Sequence, residues 1–119
     1  YVRGSAKDHG RQNQIEGALS AGQPVVVVED LISTGGSVIE CVEVLRENGA
    51  KVLGVVSIFT YGMEKGKKRL KEADVENYSL CDLDSLLPVA AGKGYIEEKE
   101  VAKLLRFRDN PSDESWMKE

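Results

Sequence analysis

The stretch VVVVEDLISTGGS, residues 25–37, joins four β-branched residues to an acid pair and then to a loop of hydroxyls and glycines. A short, wholly apolar run such as Val25 to Val28 suits a strand buried on both faces, as in a parallel sheet. The strand is expected to end at Glu29-Asp30, with residues 31–37 forming a loop. A helical pattern follows, in which Val38, Cys41, Val42 and Leu45 share one face. Asn48-Gly49 is a good stop, because glycine takes the left-handed conformation cheaply. The cycle then repeats. Residues 52–59 (VLGVVSIF) read as a second buried strand, residues 63–73 as a strongly basic helix, and residues 78–81 as a weaker third strand. Residues 83–91 read as a helix capped by Asp82 or Asp84 and ended or bent by Pro88. Residues 96–107 form a last helix, with Val101, Leu104 and Leu105 on one face. This alternation predicts an α/β fold: a mostly parallel sheet flanked by helices with right-handed crossovers. Ligands in such sheets bind beyond the carboxyl ends of the strands, here the loop after Val28.

That loop has a definite chemistry. Gly35 and Gly36 let the backbone turn tightly with its N–H groups pointing inward, and Ser33, Thr34 and Ser37 add hydroxyl donors. The following helix contributes the positive end of its dipole, so the segment makes a nest for a dianionic phosphate. Glu29 and Asp30 would repel that phosphate, and their natural partners are neutral hydroxyls close by. A ligand with a phosphate and a vicinal diol a few ångströms apart is a ribose 5-phosphate. The plainer alternative, a helix capped by Asp30 or Ser33 beside an ordinary turn, needs one acceptor rather than two acids and three hydroxyls. A Walker A lysine and a G-x-G-x-x-G fingerprint are both absent from the sequence.

The rest of the composition narrows the field. A chain of 119 residues suits one domain, and 41% hydrophobic with 30% charged residues marks it as globular rather than disordered. The net charge of −4 argues against nucleic acid or an anionic membrane as partner, so any phosphate binding must be local. The run Lys65, Lys67, Lys68, Arg69 and Lys71 is read as a solvated helix face, since no aromatic residue is interleaved. No apolar run approaches the roughly 18 residues of a membrane span. Cys41 and Cys81 are too few for a disulfide framework, and a reducing cytoplasm is the expected setting. Cys41 is expected in the core, and with one histidine in the sequence a zinc site is implausible. Tyr95, Phe107 and Trp116 are expected to pack the last helix against the sheet. The first residues, YVRGSAKDHGRQNQ, are polar and loop-like, so the chain is expected to continue upstream. Arg3, Lys7 and His9 place three potential cations in seven residues, as suits a mobile loop folding over an anion or a solvated surface loop.

The string V-V-V-V-E-D-L-I-S-T-G-G-S resembles the PRPP-binding signature of the type I phosphoribosyltransferases (PRPP being 5-phosphoribosyl 1-diphosphate). K-D-H-G followed by I-E-G in residues 7–17 resembles the catalytic loop of the orotate phosphoribosyltransferases. The resemblance covers nearly the whole chain in layout, with specific motifs only in residues 1–37. It implies a single phosphoribosyltransferase domain over residues 1–119, incomplete at its N-terminus, with residues 1–14 as a flexible catalytic loop and residues 25–37 as the PRPP-binding strand and loop. It further implies that Glu29 and Asp30 bind the ribose hydroxyls, that Ser33, Thr34, Gly35, Gly36 and Ser37 wrap the 5-phosphate, and that Leu31 and Ile32 belong to the same segment. Ser33 is implied to touch orotate as well. Arg3, Lys7 and His9 are implied to engage the pyrophosphate across a homodimer interface, with Mg²⁺ bound mainly through PRPP and no metal ligands on the protein. The implied reaction is transfer of the phosphoribosyl group from PRPP to orotate in pyrimidine synthesis. The sequence departs from the family in two places. No second lysine closely follows Arg3, and Thr60-Tyr61-Gly62 stands where some members carry an arginine, so no residue is assigned to the orotate carboxylate. A purine-type phosphoribosyltransferase and a non-catalytic PRPP-sensing regulator are the alternatives; the latter has no need of a K-D-H-G loop.

Overall fold

The computed structural model describes residues 1–4 and 14–118. Three strands, β1 (Pro24–Ile32), β2 (Lys51–Thr60) and β3 (Asn77–Asp82), pair in the order β1-β2-β3 with both pairings parallel. Helix α1 (Gly36–Glu47) crosses from β1 to β2, and α2 (Glu64–Glu72) crosses from β2 to β3. Helices α3 (Leu83–Gly92) and α4 (Glu98–Asp109) follow, and a single 3₁₀ turn spans Ser115–Lys118. The α/β reading of the sequence therefore holds, with every predicted strand and helix present.

One core lies between the sheet and its two crossover helices. Val38, Val42 and Leu45 of α1 and Leu70 of α2 pack with Val27, Val55, Ala50 and Val75, all buried. Two crossovers of the same hand that advance in one direction across a parallel sheet put both helices on one face. Among the described residues, none covers the opposite face. Val28, Val56 and Tyr78 are register partners in one row across the three strands, and all are exposed, as are Val26, Ile58 and Leu80. The expectation that the first strand is buried on both faces is thus corrected: Val27 is 6% exposed but Val28 is 79% exposed. An apolar run reports what a strand needs, and only one side of that need is met by the described residues.

β1 is also longer than expected. It continues through the acid pair to Ile32, because Leu31 and Ile32 keep their register with Phe59 and Thr60 and the Ile32 side chain enters the core. At the far end, the Asp82 side chain accepts from the Ser85 amide at 2.7 Å and caps α3, which runs on through Pro88 instead of stopping there. Arg108 ties α4 back to the sheet domain. Its guanidinium donates to both Asp84 carboxylate oxygens, at 2.7 and 3.0 Å, and to the Tyr61 carbonyl at 3.1 Å. The hydrogen bond from Arg108 holds the Asp84 carboxyl below the usual carboxylate range. Phe107 meets Trp116 with ring centroids 5.3 Å apart, but Tyr95 is exposed, which corrects its expected role in packing. Cys81 is exposed as well, on the strand that ends the sheet. No described helix is long and apolar enough to cross a membrane.

The bare face makes a direct prediction. Replacing Val28 and Leu80 together with lysine should lower hydrophobic-dye binding and self-association, with each change costing within about 0.5 kcal/mol of stability, as for unpacked surface sites. Val42→Ala, by contrast, should cost about 1–3 kcal/mol, because it empties a fully buried site. Chemical denaturation with dye titration checks both; a large stability loss in the lysine variant would contradict the exposure described.

Candidate functional site

The junction of β1 and α1 is built to leave backbone donors unsatisfied. Residues Ser33 and Thr34 are exposed, Gly35 takes a left-handed conformation at φ 84°, and α1 starts at Gly36. An ordinary side chain at Gly35 would be strained at that angle. No side chain caps α1, and its first turn holds no acidic residue. The Asp30 carboxylate takes the Leu31 amide at 2.7 Å, so it is spent locally rather than on the helix. The loop therefore supplies no side-chain cap to α1, and the first N–H groups of the helix are left without a side-chain acceptor at the positive end of its dipole.

Beside the loop runs a cleft of about 760 Å³, lined among others by Arg3, Glu29, Asp30, Ser33, Ser37 and Glu40. It brings together six of the site residues singled out from the sequence: Arg3, Glu29, Asp30, Leu31, Ser33 and Ser37. Because β1 continues through the acid pair, Glu29 and Asp30 point to opposite sides of the strand rather than side by side, yet both border the cleft. Burial, and then the neighbouring charge of Asp30, pushes the Glu29 carboxyl above its ordinary range. Cys41 also lines the cleft, and burial with the charges of Glu29 and Glu40 pushes its thiol up. Leu31 borders the cleft, whereas Ile32 is a core side chain whose carbonyl accepts from the Tyr61 amide at 3.0 Å. Thr34, Gly35 and Gly36 complete the loop through their backbone.

The polar opening of the chain is anchored at this cleft. Val2 and Ile15 form an antiparallel bridge, the Arg3 amide donates to the Gln14 carbonyl at 2.7 Å, and the Glu16 amide donates to the Tyr1 carbonyl at 2.7 Å. Gln14 is buried and its side-chain amide donates to Glu40 of α1 at 3.3 Å. The Arg3 guanidinium pairs with Glu16. Lys7 and His9 lie outside the described residues, so the only one of the three predicted cations placed here is Arg3. The sequence reading missed two residues that touch the loop from behind, Gly66 and Arg69 of α2. Their one signal was a glycine inside an otherwise strong helix-forming run. Among the described residues, no group of three or more histidine, cysteine or acidic side chains could hold a metal ion.

Known proteins fit this geometry. The family model for the phosphoribosyl transferase domain matches residues 3–85. An orotate phosphoribosyltransferase of Bacillus cereus is 60% identical over 117 residues, which is 98% of this chain and 56% of that protein. The chain thus spans little more than half the length of the relatives it matches. Among solved structures, UMP synthase of Leishmania donovani superposes with a TM-score of 0.71 and 27% identity, covering 83% of this chain and 22% of that one. Orotate phosphoribosyltransferase of Mycobacterium tuberculosis in complex with inorganic phosphate superposes with a TM-score of 0.57 and 29% identity, covering 71% and 45%.

The raised Glu29 carboxyl has a testable sign. Folding makes its proton harder to lose, so ionised Glu29 opposes folding above its folded pKa, and that cost disappears below the ordinary glutamate range. Glu29→Gln should therefore raise the thermal midpoint at neutral pH, with the gain shrinking as the pH falls toward 4. A gain that stayed constant with pH would contradict the burial and repulsion assigned to this group.

Proposed function

The chain belongs to the phosphoribosyl transferase family, and on that premise we propose that it carries the donor-binding half of an orotate phosphoribosyltransferase. The reaction is transfer of the 5-phosphoribosyl group from PRPP to orotate, giving orotidine 5′-monophosphate and pyrophosphate. The observation that carries this reading is the uncapped β1–α1 junction opening on a cleft that Glu29 and Asp30 border. The choice of orotate is supported by the relatives from Bacillus cereus and Halalkalibacterium halodurans, named orotate phosphoribosyltransferases, at 60% and 57% identity.

In this reading the amides of the Ser33–Ser37 loop and the first turn of α1 bind the 5-phosphate. Glu29 and Asp30 accept from the ribose hydroxyls and fix the sugar, so that its anomeric carbon faces the base. A ring nitrogen of orotate then bonds to that carbon as its bond to the pyrophosphate oxygen breaks. Positive charge spreads over the ribose and negative charge grows on the leaving group. Arg3, Lys7 and His9 stabilise that negative charge, best done by donors already in place in a site that excludes water. Orotate already has an acidic ring system, so His9 acts as a hydrogen-bond donor rather than a base. Arg3 must exchange its Glu16 partner for pyrophosphate to do so. Such a loop works across a homodimer, from one protomer into its partner's site.

Magnesium suits these residues only as an ion carried by PRPP. It takes one or two protein carboxylates and draws its other ligands from phosphate oxygens and water, and Glu29 and Asp30 are the two carboxylates beside the nest. When bound it would neutralise charge on the pyrophosphate oxygens. The remaining 44% of the relatives' length is where this reading puts the groups that cover the base and complete the pyrophosphate site.

An orotate-depletion assay in PRPP and Mg²⁺, on this chain and on one extended to the relatives' full length, tests the proposal. Orotate should be consumed by the extended form. PRPP binding with no consumption of orotate, but turnover of a purine base, would move the assignment to a purine-type enzyme. PRPP binding with no turnover of any base would move it to a regulator. In the active form, Lys7→Ala should lower turnover on the order of 10²-fold while PRPP affinity holds, because its charge serves the transition state. Equal loss of both would remove Lys7 from that role.

A further inference from the structure

Helix α2 is polar nearly all round, and its buried residues are Gly66 and Leu70. Leu70 belongs to the core, but Gly66 has no side chain to bury. A glycine in a helix interior is less favourable than alanine, so its presence amid EKGKKRLKE calls for a steric reason. The reason is on the other side of the contact. A methyl group at Gly66 would lie 2.7 Å from the Ser33 carbonyl oxygen and 3.6 Å from the Thr34 carbonyl carbon. The backbone of α2 rests directly on the phosphate loop. One turn further on, the Arg69 guanidinium donates to the Thr34 carbonyl at 3.0 Å and lies across Gly36.

Peptide planarity turns these contacts into a statement about donors. In a trans peptide the C=O and the following N–H point in opposite directions. The Ser33 carbonyl is directed at Gly66, so the Thr34 N–H is directed away from α2. The Thr34 carbonyl is held by Arg69, so the Gly35 N–H is directed away as well. Both donors therefore face the side of the loop opposite α2. We infer that Gly66 and Arg69 are positioning residues that set the phosphate loop's peptide planes, so that its amides present to the 5-phosphate. The inference rests on the phosphoribosyl reading above, and it gives the basic run of α2 a role beyond solvation. Arg69 does not need to touch the ligand, although its charge adds to the positive field at the loop.

Calorimetric titration of this chain with ribose 5-phosphate, and with PRPP in Mg²⁺, tests the inference on the wild type and on Arg69→Ala, Arg69→Lys and Gly66→Ala. Arg69→Ala should weaken both ligands about tenfold, the loss expected when one charge-assisted hydrogen bond no longer orients the loop. Arg69→Lys, which keeps a cationic donor, should recover most of that loss. The thermal midpoint should barely move between the two, because a general loosening of the fold would not be rescued by lysine. Gly66→Ala should weaken both ligands at least as much; if it fails to fold, the Arg69 pair alone decides. Wild-type binding with Arg69→Ala equal to it would overturn the positioning role and leave the phosphoribosyl reading standing. A wild type that binds neither ligand would overturn both.

Discussion

Burial of one stripe of α1 against the sheet is the contact from which the rest of the molecule follows. Val38, Val42 and Leu45 lie on Val27 and Val55, and that packing holds β1 and β2 parallel at a register where Val27 faces Val55. A parallel pair requires a crossover, and a crossover of this hand leaves the β1–α1 loop at the carboxyl edge of the sheet. The uncapped helix start, the carboxylates at the strand end and the neighbouring cleft are all consequences of where that loop is put. The uncapped loop is thus a by-product of core packing, sharpened by Gly35 and by the close approach of α2.

The same architecture explains what is left open. Both crossover helices cover one face of the sheet, so Val28, Val56 and Tyr78 stand in a row with no helix over them. Parallel sheets are ordinarily covered on both sides. The relatives this chain matches are nearly twice as long, and an apolar face of this extent is a natural seat for further polypeptide. The site and the bare face meet at β1, whose residues alternate between the two. Val27 and Glu29 serve the covered side, while Val28 stands on the open one.

Much of this was legible in the residues. The alternating apolar runs and helical stripes place the three strands and four α-helices, and the E-D-L-I-S-T-G-G-S string locates the loop. What was missed has a physical cause in each case. The end of β1 was placed too early, because Glu29 and Asp30 look like a strand terminus, whereas tertiary pairing of Leu31 and Ile32 carries the strand past them. Burial on both faces was read from valine content, which cannot say whether a covering element is present. Tyr95 looked like a core aromatic but is exposed. Gly66 and Arg69 were hidden in a basic run whose charge was the louder signal, since a helix-to-loop approach across 33 residues leaves no local pattern.

The proposed function requires the backbone amides of the β1–α1 loop to receive the phosphate. Titrating the isotope-labelled chain with ribose 5-phosphate, and following its amide resonances, tests that most directly. The largest shifts are expected at Thr34, Gly35, Gly36 and Ser37, with smaller ones at Glu29 and Asp30. Shifts centred on the lysines of α2 while the loop amides stay still, or none at all, would contradict it.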